Sequence, residues 1–284
     1  MSQGSSLWSD AWRRLLANKA AVAGGIILLV LIFLAIFAPW IAPHSYSYQN
    51  LELGAQPPSS DFLLGTDTLG RDLFSRILYG ARVSLLVGFV ATGVALVIGV
   101  SWGIVAGYFG GRVDSVMMRI VDVLYGLPFI IFIILLMVIF GRNIWLLFGA
   151  IGAVEWLTMA RIVRGQVLTI KNQEYVLAAQ AMGVTNMQMF RKHIFPNILG
   201  PIAVYATLTI PQVMLLEAFL SFLGLGIQPP MSSWGTLIRY GVESIEEYSW
   251  LLIYPGLTFT ITLFALNFFG DGLRDALDPK ISSD

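Results

Sequence analysis

Asp122, Glu155 and Glu217 are acidic side chains that fall inside or beside long apolar runs. A charge at the middle of a bilayer is costly, so such a group faces protein or water and either pairs or serves a pathway. Arg119 and Arg161 stand close by as partners for Asp122 and Glu155. If all three acids lie near span ends, structural pairing is favoured over a proton relay. Little else in the chain offers covalent or metal chemistry. The sequence has no cysteine and 2 histidines, His44 and His193, which argues against thiolate and histidine-rich metal sites. No nucleophile–base pair stands out, and the phosphate-cradling pattern G-x-x-x-x-G-K-[ST] is missing. Gly65-Thr66-Asp67 and Gly70-Arg71-Asp72 read as capped turns. They lack the alternating oxygens and closing glutamate of a calcium loop.

The polar stretch from about Arg161 to Asn197 is the other candidate for function. Asn172 can cap a helix from Glu174 to about Met182, with Tyr175, Ala178, Ala179 and Met182 at helical spacing on one face. Small alanines there leave room for a partner surface. Gly183 suits the left-handed position that ends a helix. Thr185-x-x-Gln188 reads as a capping box for a second short helix whose apolar face is Met187, Phe190 and Ile194, and Pro196 ends it. Two short helices at a glycine bend fit a docking element; the alternative is an amphipathic loop resting on lipid headgroups.

The elements that must position these residues are membrane spans. Hydrophobic residues make up 57% of the 284 residues and charged ones 12%, far below the roughly 25% charged share of soluble domains. The net charge of +0 gives no sign of a nucleic-acid partner. Charge-poor windows of about 20 residues lie near Ala21–Ile41, Ser84–Gly107, Ile120–Phe140, Ile144–Ile162, Ile198–Phe222 and Trp250–Phe269. The expected fold is therefore all-α, with six transmembrane helices and an aqueous two-helix insert. The first run is too long for a leader peptide and is expected to be a true span. Of the 17 basic residues, only Arg71, Arg76, Arg82, Arg142 and Arg239 fall on one side. The basic bias then puts both termini and the insert in the cytoplasm, with longer outer loops at about Ala42–Ala81 and Leu223–Ser249. Residues 1–19, with Trp8, Trp12 and Leu15 on one face, read as an interfacial segment ahead of a polytopic domain over 20–284.

Ala91, Ala95, Gly99, Gly103, Gly107 and Gly111 recur every fourth residue, a smooth stripe that lets another backbone approach. It fits packing within this bundle, or against a second subunit or a sliding gate helix. Pro128 and Pro211 are expected to kink their spans.

The insert resembles the EAA loop of permeases from binding-protein-dependent ABC importers. The pattern is Glu-Ala-Ala, three residues, Gly, nine residues, Ile-x-Leu-Pro. Ala178, Ala179, Gly183 and Pro196 match it, while Leu177 stands at the usual glutamate, His193 at the isoleucine and Phe195 at the leucine. Glu174 lies one turn before the missing acid. Leu64–Asp72, Gly111–Arg119, Ala160–Gly165, Leu220–Gly226 and Gly270–Pro279 are similar to the C-type permease of oligopeptide and dipeptide importers, the oligopeptide member most of all. The resemblance implies a bacterial inner-membrane protein that works with a second permease subunit, two ATPase subunits, an extracytoplasmic substrate-binding protein and a peptide substrate. It carries no cofactor of its own, with ATP and magnesium held by the ATPases. It also implies that Glu174, Ala178, Ala179, Gly183, His193 and Pro196, in the insert at about 163–197, couple to the ATPases. Related dipeptide, glutathione or nickel importers are the near alternatives. A secondary carrier is the distant one, since no internal repeat is visible.

Overall fold

The computed structural model describes residues 7–141 and 143–277. Arg142, Lys280 and the Asp278-Pro279 end of the C-terminal motif lie outside the described residues, as does the Trp8 side chain. Helices follow one another as α1 (Leu7–Ala17), α2 (Lys19–Ile41), α3 (Leu73–Phe109), α4 (Gly111–Tyr125), α5 (Phe129–Phe140), α6 (Ile144–Lys171), α7 (Glu174–Ala181), α8 (Asn186–Met189), α9 (Phe195–Phe222), α10 (Trp234–Glu243) and α11 (Trp250–Leu277). A π-helical turn, Phe190–Ile194, joins α8 to α9. Among the described residues there is no strand, only an isolated bridge between Thr66 and Asp72.

Five helices are long and apolar enough to cross a membrane: α2, α3, α6, the continuous run Asn186–Phe222, and α11. A sixth span exists only if α4 and α5 are taken together, and they are bent by 76°. The span expected at Ile120–Phe140 with a kink at Pro128 is thus sharply broken there, between α4 and α5. Proline has no N–H to continue a helix and disfavours helical backbone before it, so Pro128 becomes the N-cap of α5. Pro211, by contrast, sits inside an unbroken α9.

The α3–α6 pair is the spine. A Cβ on Gly99 would lie 2.6 Å from Cβ of Met159, and one on Gly103 would lie 2.5 Å from the Ala160 carbonyl oxygen. On Gly107 it would meet Val167 Cβ at 2.9 Å. The stripe is therefore used within this chain. Gly111 is not part of it: α3 ends at Phe109, and Gly111 has φ +52 with nothing within 4 Å of its would-be Cβ. It serves the left-handed turn into α4, a conformation glycine reaches without a steric penalty.

Two stretches expected as outer loop are helical. Asp72 caps α3 by accepting from the Ser75 N–H at 2.9 Å, so Leu73–Ala81 opens that helix. α10 lies inside the 223–249 stretch, started by a reciprocal capping box between Ser233 and Thr236. Trp234 is fully buried there; its Nε1 donates to the Ile77 carbonyl at 3.1 Å and its backbone N–H to Ser84 Oγ at 3.0 Å. At the N-terminus, Ala11 and Leu15 pack against Ala276 of α11 while Trp12 is exposed. Leu15 thus packs on α11, while Trp12, one turn before it, is exposed.

Candidate coupling site

The insert grows directly from the spans that flank it. Asn172 is the last residue of the α6 end rather than the cap of α7, which starts from Gln173 without a side-chain cap. Only two residues separate α6 from α7, so Asn172 is used up in terminating the longer helix. α7 closes at Met182, and Gly183 follows with φ +79, the left-handed turn its type suggested. Thr185 Oγ1 then accepts from the Gln188 N–H at 3.4 Å, one half of the expected box.

The second short helix does not stand alone. α8, the π-turn and α9 run on as one rod from Asn186 to Phe222. Pro196 does not end it; it sits directly after the π-turn, near the start of α9 and inside the continuous rod. In the preceding π-turn, the Phe195 N–H bonds back to the Phe190 carbonyl, which shifts the ladder by one residue ahead of the proline. α8 is thereby continuous with a candidate span.

The two faces of α7 differ from expectation. Val176 and Ala179 point inward and pack with Met189, Ile194 and Ile198 against Val163, Val167 and Ile170 of α6. Ala179 is 4% exposed, so it is a packing residue and not part of an outward face with Tyr175 and Met182. Met189, not Met187, completes the inner face. Outward stand Glu174, Ala178, Tyr175, Leu177, Met182 and Met187, with Met182 78% exposed. Large apolar side chains on an aqueous projection mark an interaction surface. The Val176/Ala179 pair, three apart in a two-turn helix, was the available sign of the inward face.

The other site residues tie the insert together. The His193 ring lies 6.1 Å from that of Tyr175, linking the π-turn to α7, and the His193 carbonyl accepts from Asn197 Nδ2 at 2.6 Å. The end of α3 supplies contacts that no local pattern announced. Tyr108 donates its hydroxyl to the Asn186 carbonyl at 2.9 Å, and Lys171 Nζ donates to the Tyr108 carbonyl at 2.7 Å. These pairs are far apart in sequence and carry no periodic signal.

α4 is fastened beside this end by ion pairs. Arg164 holds Asp114 through two bonds, 2.8 and 2.5 Å, and Arg161 holds Asp122 at 2.9 Å while lying over the Tyr125 ring. The pairings expected for Arg119 with Asp122 and for Arg161 with Glu155 are thus replaced: α4 lies along α6 and brings Asp122 to Arg161. Glu155 lies well inside α6, not near an end, and makes no ion pair with the described residues. Glu217 is fully buried, bonded to Ser221 Oγ at 2.6 Å.

Exposed apolar side chains thus stand on a two-helix insert that is continuous with two candidate spans. Comparison with known proteins identifies the family of the chain. Residues 99–283 match the family described as binding-protein-dependent transport system inner membrane component, and residues 6–58 match the N-terminal transmembrane domain of oligopeptide transport permease C. The chain belongs to this permease family. An oligopeptide transport permease of Haemophilus influenzae is 50% identical to this permease over 98% of this chain and 90% of that relative. A dipeptide transport permease of Bacillus subtilis is also 50% identical, over 97% of this chain and 87% of its own length. Inward-facing structures of the MetNI methionine ABC transporter share the fold, with a TM-score of 0.60 at 21% identity, covering 71% of this permease and 96% of the matched chain.

Proposed function

We propose that this permease forms half of the pathway of an ATP-driven oligopeptide importer, with a second permease, two ATPase subunits and an extracytoplasmic binding protein. The observation that carries the reading is the near-complete match to peptide permeases at 50% identity. The match of residues 6–58 to the oligopeptide permease N-terminal domain favours oligopeptides over dipeptides. In this reading both termini and the insert are cytoplasmic, which places most of the 17 basic residues inside. Hydrolysis and its ATP and magnesium belong to the ATPase subunits.

The shape of the insert supports a lever role. An ATPase grips Glu174, Tyr175, Leu177, Ala178 and Met182. Closure of the ATPase pair moves α7 and α8 together because Val176, Ala179, Met189 and Ile194 lock them into one body. α6 and the α8–α9 rod then tilt as units, a rigid-body switch between two packings. ATP and the loaded binding protein bias the switch by binding its two states unequally.

The deciding experiment is reconstitution of the full complex in proteoliposomes. Labelled tri- to pentapeptides should enter only with ATP and the binding protein both present. Uptake by this chain alone on an ion gradient would replace the importer by a secondary carrier. Uptake blocked by excess nickel or glutathione, but not by unlabelled peptide, would reassign the cargo.

A further inference from the structure

α4 leaves the end of α3 and meets α6 near the end from which the insert grows. Of its 15 residues only Val121 is buried, whereas α6 buries 13 of 28. The apolar attachment is small: Val121, Met118 and Leu124 pack with Trp102, Trp156 and Leu157. Trp102 Nε1 adds one bond to the Met117 carbonyl at 3.3 Å. The rest is electrostatic. Asp114 accepts Nε and Nη2 of Arg164 at 2.8 and 2.5 Å, and Asp122 accepts Nη2 of Arg161 at 2.9 Å. The bases of α4 point the other way. Arg112 and Arg119 are exposed and make no ion pair with a described residue. Charge is thus sorted across the helix, acids toward α6 and bases outward.

Both ends of α4 are joints. Gly110 and Gly111 have φ +64 and +52, and a Cβ on either would meet nothing within 4 Å. At the far end α4 breaks from α5 by 76° across Gly126, Leu127 and Pro128, all exposed. The helix between these joints is therefore a rod held at its middle by two ion pairs. Both arginines stand on α6, and only Asn172 and Gln173 separate that helix from α7. The bonds of an ion pair are lost once the heavy atoms part beyond about 3.5 Å. A partly exposed pair shifts a population by about fivefold at most, weak enough to be made in one packing and broken in the next. Elements that move are drawn from those with few buried contacts.

We propose that α4 is a swinging arm over α6, latched by Asp114–Arg164 and Asp122–Arg161 in the packing seen here and released when the insert tilts α6. The inference rests on the importer reading, in which the ATPases drive that tilt. Release uncovers the α6 face that carries Arg161 and Arg164, so the arm acts as a gate at the cytoplasmic end.

The test uses the complete complex in proteoliposomes, with binding protein and labelled peptide. This chain has no cysteine. Asp114→Cys combined with Arg164→Cys therefore supplies its only thiols, to be bridged by a bifunctional methanethiosulfonate reagent of the length of the lost ion pair. Bridging should abolish uptake and reduction of the bridge should restore it, while each single-cysteine variant treated alike transports throughout. Equal uptake before and after reduction overturns the arm. Arg164→Gln removes the two-bonded latch. It should speed amide hydrogen exchange over Gly111–Tyr125 about fivefold and leave α6 unchanged. Unchanged exchange in α4 overturns the proposal; so does equal acceleration in α6, which would mark the pair as a brace of the fold. If the double-cysteine variant fails to assemble, this exchange decides. A wild-type complex that imports no peptide counts against the importer reading instead, and the arm is then judged by the same exchange measurement.

Discussion

The two ends of this bundle both have an apolar cluster and differ in how deeply their ion pairs are buried. The end carrying α10 is fixed by buried charge and hydrogen bonds: Asp67 with Arg71 and Arg76, Asp72 with Ser75, and Trp234 with Ile77 and Ser84. The insert itself is held mainly by apolar contact among Val176, Ala179, Met189, Ile194 and α6, with polar ties through Tyr108 and Lys171, and the ion pairs beside it, Arg164–Asp114 and Arg161–Asp122, are partly exposed. A buried ion-pair network has one good geometry and fails when a member is removed. Apolar packing is non-directional and can be carried as a body from one arrangement to another. The contrast fits the lever role proposed for the insert.

The comparison breaks most visibly at Asp67. Asp67→Ala strands Arg76 in the interior and should cost about 3–5 kcal/mol, read as a large fall in melting temperature in detergent. Next is the spine between the two ends. Gly103→Ala places a methyl group against the Ala160 carbonyl and should cost roughly 1–3 kcal/mol by overpacking. Gly111→Ala, in open space, should cost only its backbone term of about 1 kcal/mol. Equal losses would place Gly111 back among the packing residues. Arg161→Gln removes a half-exposed pair with Asp122 and should cost no more than about 1 kcal/mol. The smallest stability effect belongs to the insert: Leu177→Asp should stay within about 0.5 kcal/mol. That variant should nonetheless lose copurification with the ATPase and peptide uptake. Normal uptake in Leu177→Asp would remove the apolar patch from the coupling role. Ala179→Arg does not probe docking, because it buries a charge inside the insert; it should loosen α7 itself, seen as faster hydrogen exchange there.

Much of this was legible without coordinates. Long charge-poor runs announced the spans because lipid forces every backbone polar group to be satisfied within a helix. Gly183 announced its bend, since left-handed backbone favours glycine, and φ is +79 there. Errors arose where one signal served two purposes. Gly111 continued a spacing of four by coincidence, while its φ of +52 answered a turn. Arg76 looked like an outer-loop charge, because a charge-free window ends at arginine whether or not it is buried on Asp67. Pro196 looked like a terminator, although the helix runs through it behind a π-turn.

From residue order alone came what depends on local chemistry: an all-helical membrane chain, a polar insert with a glycine hinge, and small residues wherever two backbones must meet. Folding alone decided what depends on distant neighbours. It chose α6 as the mate of the glycine stripe, turned Ala179 inward and Leu177 outward, and gave Asp122 rather than Glu155 to Arg161. It also set two arginines around one aspartate. Periodicity reports which residues share a side of a helix, but which side meets which helix is settled only when all the spans pack at once.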